Sequence, residues 1–264
     1  MRWQIAIGAD EALAELPVDR TAAPAAPSQA FSPAPMPAVP APTAVRTLPP
    51  RPATHVPAPV SGGRSASARE TAAAAADMEA LRAALAAFEG CALRNTATNL
   101  VFGDGNPAAP LMLVGEAPGA DEDRLGKPFV GVSGQLLDRM LAAIGIDRSG
   151  AWITNILPWR PPGNRKPTAA EIALCLPFVR RQIALVAPRV LVCVGGTSAT
   201  SLLERGEGII KLRGRWLQYR PDEESKTIDT VCIFHPAYLL RTPAQKREAW
   251  RDLLAIRDRL NISD

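Results

Sequence analysis

Three stretches of the chain gather side chains able to do acid–base or electrostatic chemistry. The first runs Gly115-Glu-Ala-Pro-Gly-Ala-Asp-Glu-Asp123 and continues to Gly126-Lys-Pro-Phe-Val-Gly131, bunching Glu116, Asp121, Glu122 and Asp123 in what reads as a loop. A carboxylate there can orient a water or stabilise a developing cation, or it can serve only to cap a helix N-terminus. The second stretch ends a strand at Ile153-Thr-Asn155 and leads into Trp159-Arg-Pro-Pro-Gly-Asn-Arg165. The Asn155 amide donates and accepts, which suits the edge of a planar base, although the same residue type also closes Asx turns. The third is His235-Pro-Ala-Tyr-Leu-Leu-Arg241, whose histidine is the only one beyond His55. It reads either as a functional group at a strand end or as a satisfied structural residue. Phe129 is a core residue by default and an aromatic floor for a base in the alternative. One histidine and a bunched set of acids argue against a metal site.

These residues can act together only if elements of the fold bring them to one place. Leu111–Val114, Trp152–Asn155 and Val190–Val194 are short apolar runs that read as buried strands. Helical patterns cover Gln135–Ile144 and Thr168–Val186, the latter opened by a Thr168…Glu171 capping box. Further helices are expected after Gly195-Gly196 and over Ala244–Leu260, and one helix over Thr71–Glu89 with Met78, Leu81, Leu85 and Phe88 on its apolar stripe. Trp216–Tyr219 and Val231–Phe234 flank a polar turn and suggest a hairpin or neighbouring strands. Strands alternating with helices imply an α/β fold: three layers, α/β/α, around a central, mainly parallel four-stranded sheet. In such sheets the site lies beyond the carboxyl ends of the strands, which singles out the segments after Val114, Ile153 and Phe234.

Composition sets the boundaries. Of 264 residues 26 are Pro, and 13 of these fall in residues 1–60. Residues 21–70, built from Ala, Pro, Ser and Thr, lack the large apolar side chains that offset the entropy of ordering. The expectation is a disordered Pro/Ala-rich extension over 1–70 and a folded domain over 71–264. Trp3, Ile5, Ile7, Leu13 and Leu16 mark a small element near the start, readable as a docking peptide for an unidentified protein or, more simply, as a tolerated terminus. A net charge of +4 is compatible with nucleic acid without requiring it. No run approaches ~18 apolar residues, which argues against a membrane span. Cys91, Cys175, Cys193 and Cys232 lack the spacing of a secreted disulfide scaffold, so a reducing cytoplasm is the simpler reading.

Taken in order, the Gly-Glu-Ala-Pro-Gly…Glu-Asp, Gly-Lys-Pro-Phe-Val-Gly, Ile-Thr-Asn, Arg-Pro-Pro-Gly-Asn-Arg and His-Pro-Ala-Tyr-Leu-Leu-Arg motifs resemble the family 4 type of uracil-DNA glycosylase over about residues 88–260. The resemblance implies a bacterial DNA-repair enzyme, cytoplasmic and nucleoid-associated, that hydrolyses the N-glycosidic bond of uracil in DNA. The base would be flipped out of the stack and an abasic site left behind. It implies Glu116, Glu122 and His235 as catalytic residues, without ranking the two glutamates. The Ala117 backbone, Phe129 and Asn155 would hold uracil, Leu239 would wedge into the vacated stack, and Arg241, Arg160 and Arg165 would hold phosphates, with Arg213 a weaker candidate. A reader that holds uracil or abasic DNA without turnover stays open as an alternative.

The chain departs from the family at one place. Members carry four cysteines that bind a [4Fe–4S] cluster, and here Cys91 and Cys175 occupy two of those positions while Arg94 and Trp159 stand at the others. Four thiolates are the usual ligand set, so no cluster and no other cofactor are expected. Arg94 is expected to stack on the Trp159 indole instead. With no coiled-coil pattern, a monomer is the default.

Overall fold

The computed structural model describes residues 61–261. The apolar segment at 3–16 and the extension up to residue 60 lie outside them. The first described helix, α1 (Ser61–Ala73), starts ahead of the boundary at residue 70, because Ala68 and Ala72 are small enough to pack closely into the core. Thr71–Glu89 is not one helix: α1 ends at Ala73 and α2 spans Met78–Ala87. The break is set by Asp77, whose carboxylate accepts the Ala80 N–H at 2.8 Å and so starts a new helix rather than continuing the old one.

The sheet has six strands in the order β1-β3-β2-β4-β6-β5. β1 is Asp104–Gly105, β2 Leu111–Gly115, β3 Ala151–Asn155, β4 Val190–Val194, β5 Trp216–Tyr219 and β6 Ile228–Ile233. The inner four, β3, β2, β4 and β6, are parallel as expected; β1 and β5 add an antiparallel strand at each edge. β1, two residues long, is too short to leave a periodic signal. β5 and β6 form the suggested hairpin.

Every residue of β2, β3 and β4 is buried, as the unbroken apolar runs require of strands covered on both faces. On one face Met112, Val114, Leu191 and Cys193 pack against α1, α2, α5 (Ala169–Val186) and α6 (Gly196–Leu203). On the other Leu111, Leu113, Val190, Val192 and Ile233 pack against α4 (Val132–Ala142) and α9 (Lys246–Leu260). Between these helices lie α3 (Ala120–Leu125), α7 (Ile209–Leu212) and α8 (Pro236–Arg241). The register aligns Gly115 with Asn155 and Val194 with Ile233, so four strands end level along one edge. The segments after them, carrying Glu116, Asn155, Gly195 and His235, therefore emerge together.

Candidate active site

Glu116, Ala117, Phe129, Asn155, His235 and Arg241 line one cavity of about 530 Å³ at that edge. Its floor exists because residue 115 is glycine. A Cβ there would lie 2.3 Å from Asn155 Oδ1 and 2.5 Å from Phe129 Cζ, so only a missing side chain lets both groups close on the strand end.

Phe129 is buried and holds φ at 53°, the left-handed region a non-glycine residue enters only when its surroundings require it. Two devices hold it. Glu122 accepts the N–H groups of Val130 and Gly131 at 2.9 Å on one oxygen and of Gly119 at 3.0 Å on the other, knitting the start of α3 to the Phe129 turn. Arg148 donates to the carbonyls of Phe129 and Pro128 while pairing with Asp104 at 2.8 Å and Asp138 at 3.0 Å. Gly134 completes the turn, since a Cβ there would collide with the Phe129 carbonyl. The Phe129 ring then sits 5.6 Å from the His235 imidazole, their planes 30° apart.

The acidic residues divide by what they touch. Asp121, Glu122 and Asp123 lie in the helix α3, not in a loop as read from sequence, because Gly119 and the Glu122 carboxylate cap its first turn. Asp123 accepts the N–H groups of Thr98 and Asn99. Both oxygens of Glu122 are engaged by backbone, which makes it a positioning group for the Phe129 turn. Glu116 and Glu122 both line the cavity; on Glu116 the Thr197 hydroxyl donates to Oε2 at 2.5 Å.

His235 precedes Pro236 and caps α8: its Nδ1 accepts the Ala237 N–H at 3.2 Å. Nδ1 therefore carries the lone pair, and Nε2 carries the proton of the neutral ring. Burial pushes the histidine pKa below its ordinary 6.5, and the Glu116 charge opposes this only in part.

The structure corrects three further expectations. Leu239 is 1% exposed and belongs to the core beneath α8, so it is not placed to enter a base stack; its neighbour Leu240, one helical step round, is 38% exposed. Arg213 is not free for a phosphate: its guanidinium is forked onto Asp252 at 2.6 and 3.0 Å, reaches Glu248 at 3.0 Å and lies over the Phe234 ring. Arg94 does not stack on Trp159; it reaches toward Glu89 at 3.8 Å, and the guanidinium–ring pairs among the described residues are Arg213 on Phe234 and Arg259 on Trp216.

Of the remaining cations, Arg165 and Arg241 line the cavity and Arg160 donates to Asn164 beside it. Arg165 also forks onto Glu171, holding that carboxyl down to about 2. Lys166, Ser133 and the Gly195-Gly196 turn, which the motif reading passed over, line the cavity too. Thr197 and Arg148 were likewise missed, because neither belongs to a motif.

The four positions at which family members carry their cluster cysteines do not form a ligand set here. Cys91 and Cys175 are buried in the same core cluster as the Trp159 indole, which is 2% exposed, and Arg94 supplies a cation where a thiolate is required. Among the described residues no group of three or more His, Cys, Asp or Glu is arranged to hold a metal ion.

Comparison with known proteins agrees with this geometry. The profile of the Uracil DNA glycosylase superfamily matches residues 102–254. The type-4 uracil-DNA glycosylase of Archaeoglobus fulgidus is 39% identical over 170 residues, covering 63% of this chain and 84% of that protein. That of Pyrobaculum aerophilum is 37% identical over 181 residues, 67% and 91% of the two chains. That of Thermotoga maritima is 40% identical over 152 residues, 57% and 77% of the two. The chain belongs to the uracil DNA glycosylase superfamily and is similar to its type-4 members.

Proposed function

We propose that this chain is a DNA-repair hydrolase that cleaves the N-glycosidic bond of uracil in DNA, releasing the base and leaving an abasic site. The observation that carries the reading is the convergence of Glu116, Phe129, Asn155 and His235 on one cavity. A glycosidic bond inside a duplex is out of reach, so the nucleotide swings out of the stack into that cavity. The uracil ring lies against Phe129, and the Asn155 amide meets its O4 and N3–H edge, accepting with its oxygen and donating with its nitrogen. As the C1′–N1 bond breaks, its electron pair passes to the ring. His235 Nε2–H donates to O2, where the charge accumulates; fixed donors of this kind are worth ~3–4 kcal/mol. The Ala237 N–H on Nδ1 and the burial that lowers the histidine pKa both support a neutral ring in this role. Glu116 faces the cationic sugar that remains, stabilises it and orients the water that adds to C1′; the proton that water sheds balances the uracil anion, which leaves as neutral uracil. Glu122 serves this reaction by holding Phe129.

Leu240, exposed on α8, is the apolar group assigned to the gap left by the flipped nucleotide. Arg241, Arg160, Arg165 and Lys166 are assigned to the phosphates around the cavity mouth. The donor set supports a protein without a [4Fe–4S] cluster. The Pro- and Ala-rich composition of residues 21–60 supports a tether to an unidentified protein, and four buried free thiols suit a reducing cytoplasm.

The test is an end-labelled oligonucleotide with one central uracil, incubated in chelator and then treated with alkali. Strand scission by the wild-type protein, lost in His235→Ala and Glu116→Ala, is the expected result. A retained complex without scission would replace the enzyme by a reader of uracil or abasic DNA. The absence of both scission and retention would overturn the reading outright.

A further inference from the structure

Glu116 follows β2 directly, and its side chain is half-buried at the cavity wall. A glutamate has three side-chain torsions, so a carboxylate that must face the reacting centre needs something to stop it turning. The group that meets it comes from across the sheet. Thr197 lies 81 residues later, at the second position of α6, and its Oγ1 donates to Glu116 Oε2 at 2.5 Å. This is a short, charge-assisted hydrogen bond. A hydroxyl has a single proton to give. Spending it on Oε2 fixes the carboxylate plane and leaves Oε1 with its lone pairs for the cavity.

The preceding turn makes this contact possible. Gly195 holds φ at +93°, and a Cβ on it would lie 3.1 Å from the His235 Cβ. The turn thus packs against the histidine while delivering Thr197 to the glutamate. Leu157 N–H in turn binds the Glu116 carbonyl at 3.0 Å, so the backbone is held from the β3 side and the carboxylate from the β4 side.

We infer that Thr197 is the positioning residue of the reaction: its hydroxyl aims the Glu116 carboxylate at the sugar and the attacking water. This rests on the uracil-excision reading and deepens it. Thr197→Val keeps the shape and removes the donor; Thr197→Ser keeps the donor and removes the methyl group. Single-turnover uracil release from a uracil-containing oligonucleotide is measured for both, alone and in a Glu116→Gln background.

Thr197→Val is expected to slow release by roughly 10- to 100-fold, the size of one charge-assisted hydrogen bond, with oligonucleotide affinity and melting temperature unchanged. Thr197→Ser is expected to restore most of the rate. In the Glu116→Gln background the Thr197→Val change should add little, because both act through one carboxylate. A Thr197→Val protein within twofold of wild type would overturn the inference. So would a loss that persists in full beside Glu116→Gln, or one that follows a lowered melting temperature. Absence of uracil release by the wild-type protein would instead overturn the underlying activity.

Discussion

Gly115→Ala adds one methyl group at the point where the two base-holding residues meet. Its Cβ would stand 2.5 Å from Phe129 Cζ and 2.3 Å from Asn155 Oδ1. Carbon contacts settle near ~3.5–4.0 Å, so each group must retreat by about 1 Å. Neither the strand nor the ring has an easy exit. Gly115 is in register with Asn155, and its carbonyl accepts the Ile156 N–H at 2.9 Å. Phe129 is tied at its carbonyl by Arg148 and packed against Gly134. The strain of overfilling such a site is about 1–3 kcal/mol, or a melting temperature lower by ~2–4 °C for each kcal/mol in a domain of this size. A misplacement of ~1 Å at a reacting centre costs on the order of 100-fold in rate. The assay is kcat/KM for uracil release beside a thermal melt followed by circular dichroism. The expected outcome is about 100-fold lower activity from a protein that still folds. Activity within about threefold of wild type, with an unchanged melt, would show that Asn155 and Phe129 need not close over Gly115 and would refute the pocket as described.

Three further outcomes follow from the same geometry. Leu240→Ala should weaken excision from duplex DNA by roughly tenfold at unchanged stability, whereas Leu239→Ala should destabilise by ~2–5 kcal/mol as a core truncation does; a duplex defect confined to Leu239→Ala would return the wedge to that residue. Because burial lowers the His235 pKa, the ring should stay neutral as pH falls through 6.5. Its contribution to stability is then present above that value and is lost as pH falls through the folded-state value. A proton NMR titration, with His55 the only other histidine, checks this, and a His235 midpoint above 6.5 contradicts it. Protein purified without oxygen should contain iron and sulfide well below one cluster per chain, and stoichiometric amounts would show that Cys91 and Cys175 recruit ligands from elsewhere.

The legible part of this protein was the part written locally. Apolar runs such as Leu111–Val114 and Val190–Val194 announce buried parallel strands, because a strand covered on both faces has no polar side to show. The topology of a parallel sheet then places the segments after them on one edge. So Glu116, Asn155 and His235 could be expected together before any distance was known. The Thr168–Glu171 capping box likewise marks the start of α5 from residues three apart.

What lay beyond the sequence was set by contacts between distant residues or by rotation about a helix axis. Glu116 and Glu122 are the same residue type in the same motif. Only the fold shows that backbone N–H groups bind one of them while the Thr197 hydroxyl binds the other. Leu239 and Leu240 differ by one helical step of about 100°, which sends one into the core and the other to solvent. Arg148 and Arg213 look like surface cations in sequence and are instead bound to carboxylates, one holding the turn under Phe129 and the other pinning α9. The sequence alone determined which chemical groups were present and which edge of the sheet would carry them. Tertiary structure decided which of those groups face the cavity, because long-range contacts turn Arg213 onto Asp252 and Glu248 while leaving Arg165, paired with Glu171, and Glu116, bonded by Thr197, at the cavity wall.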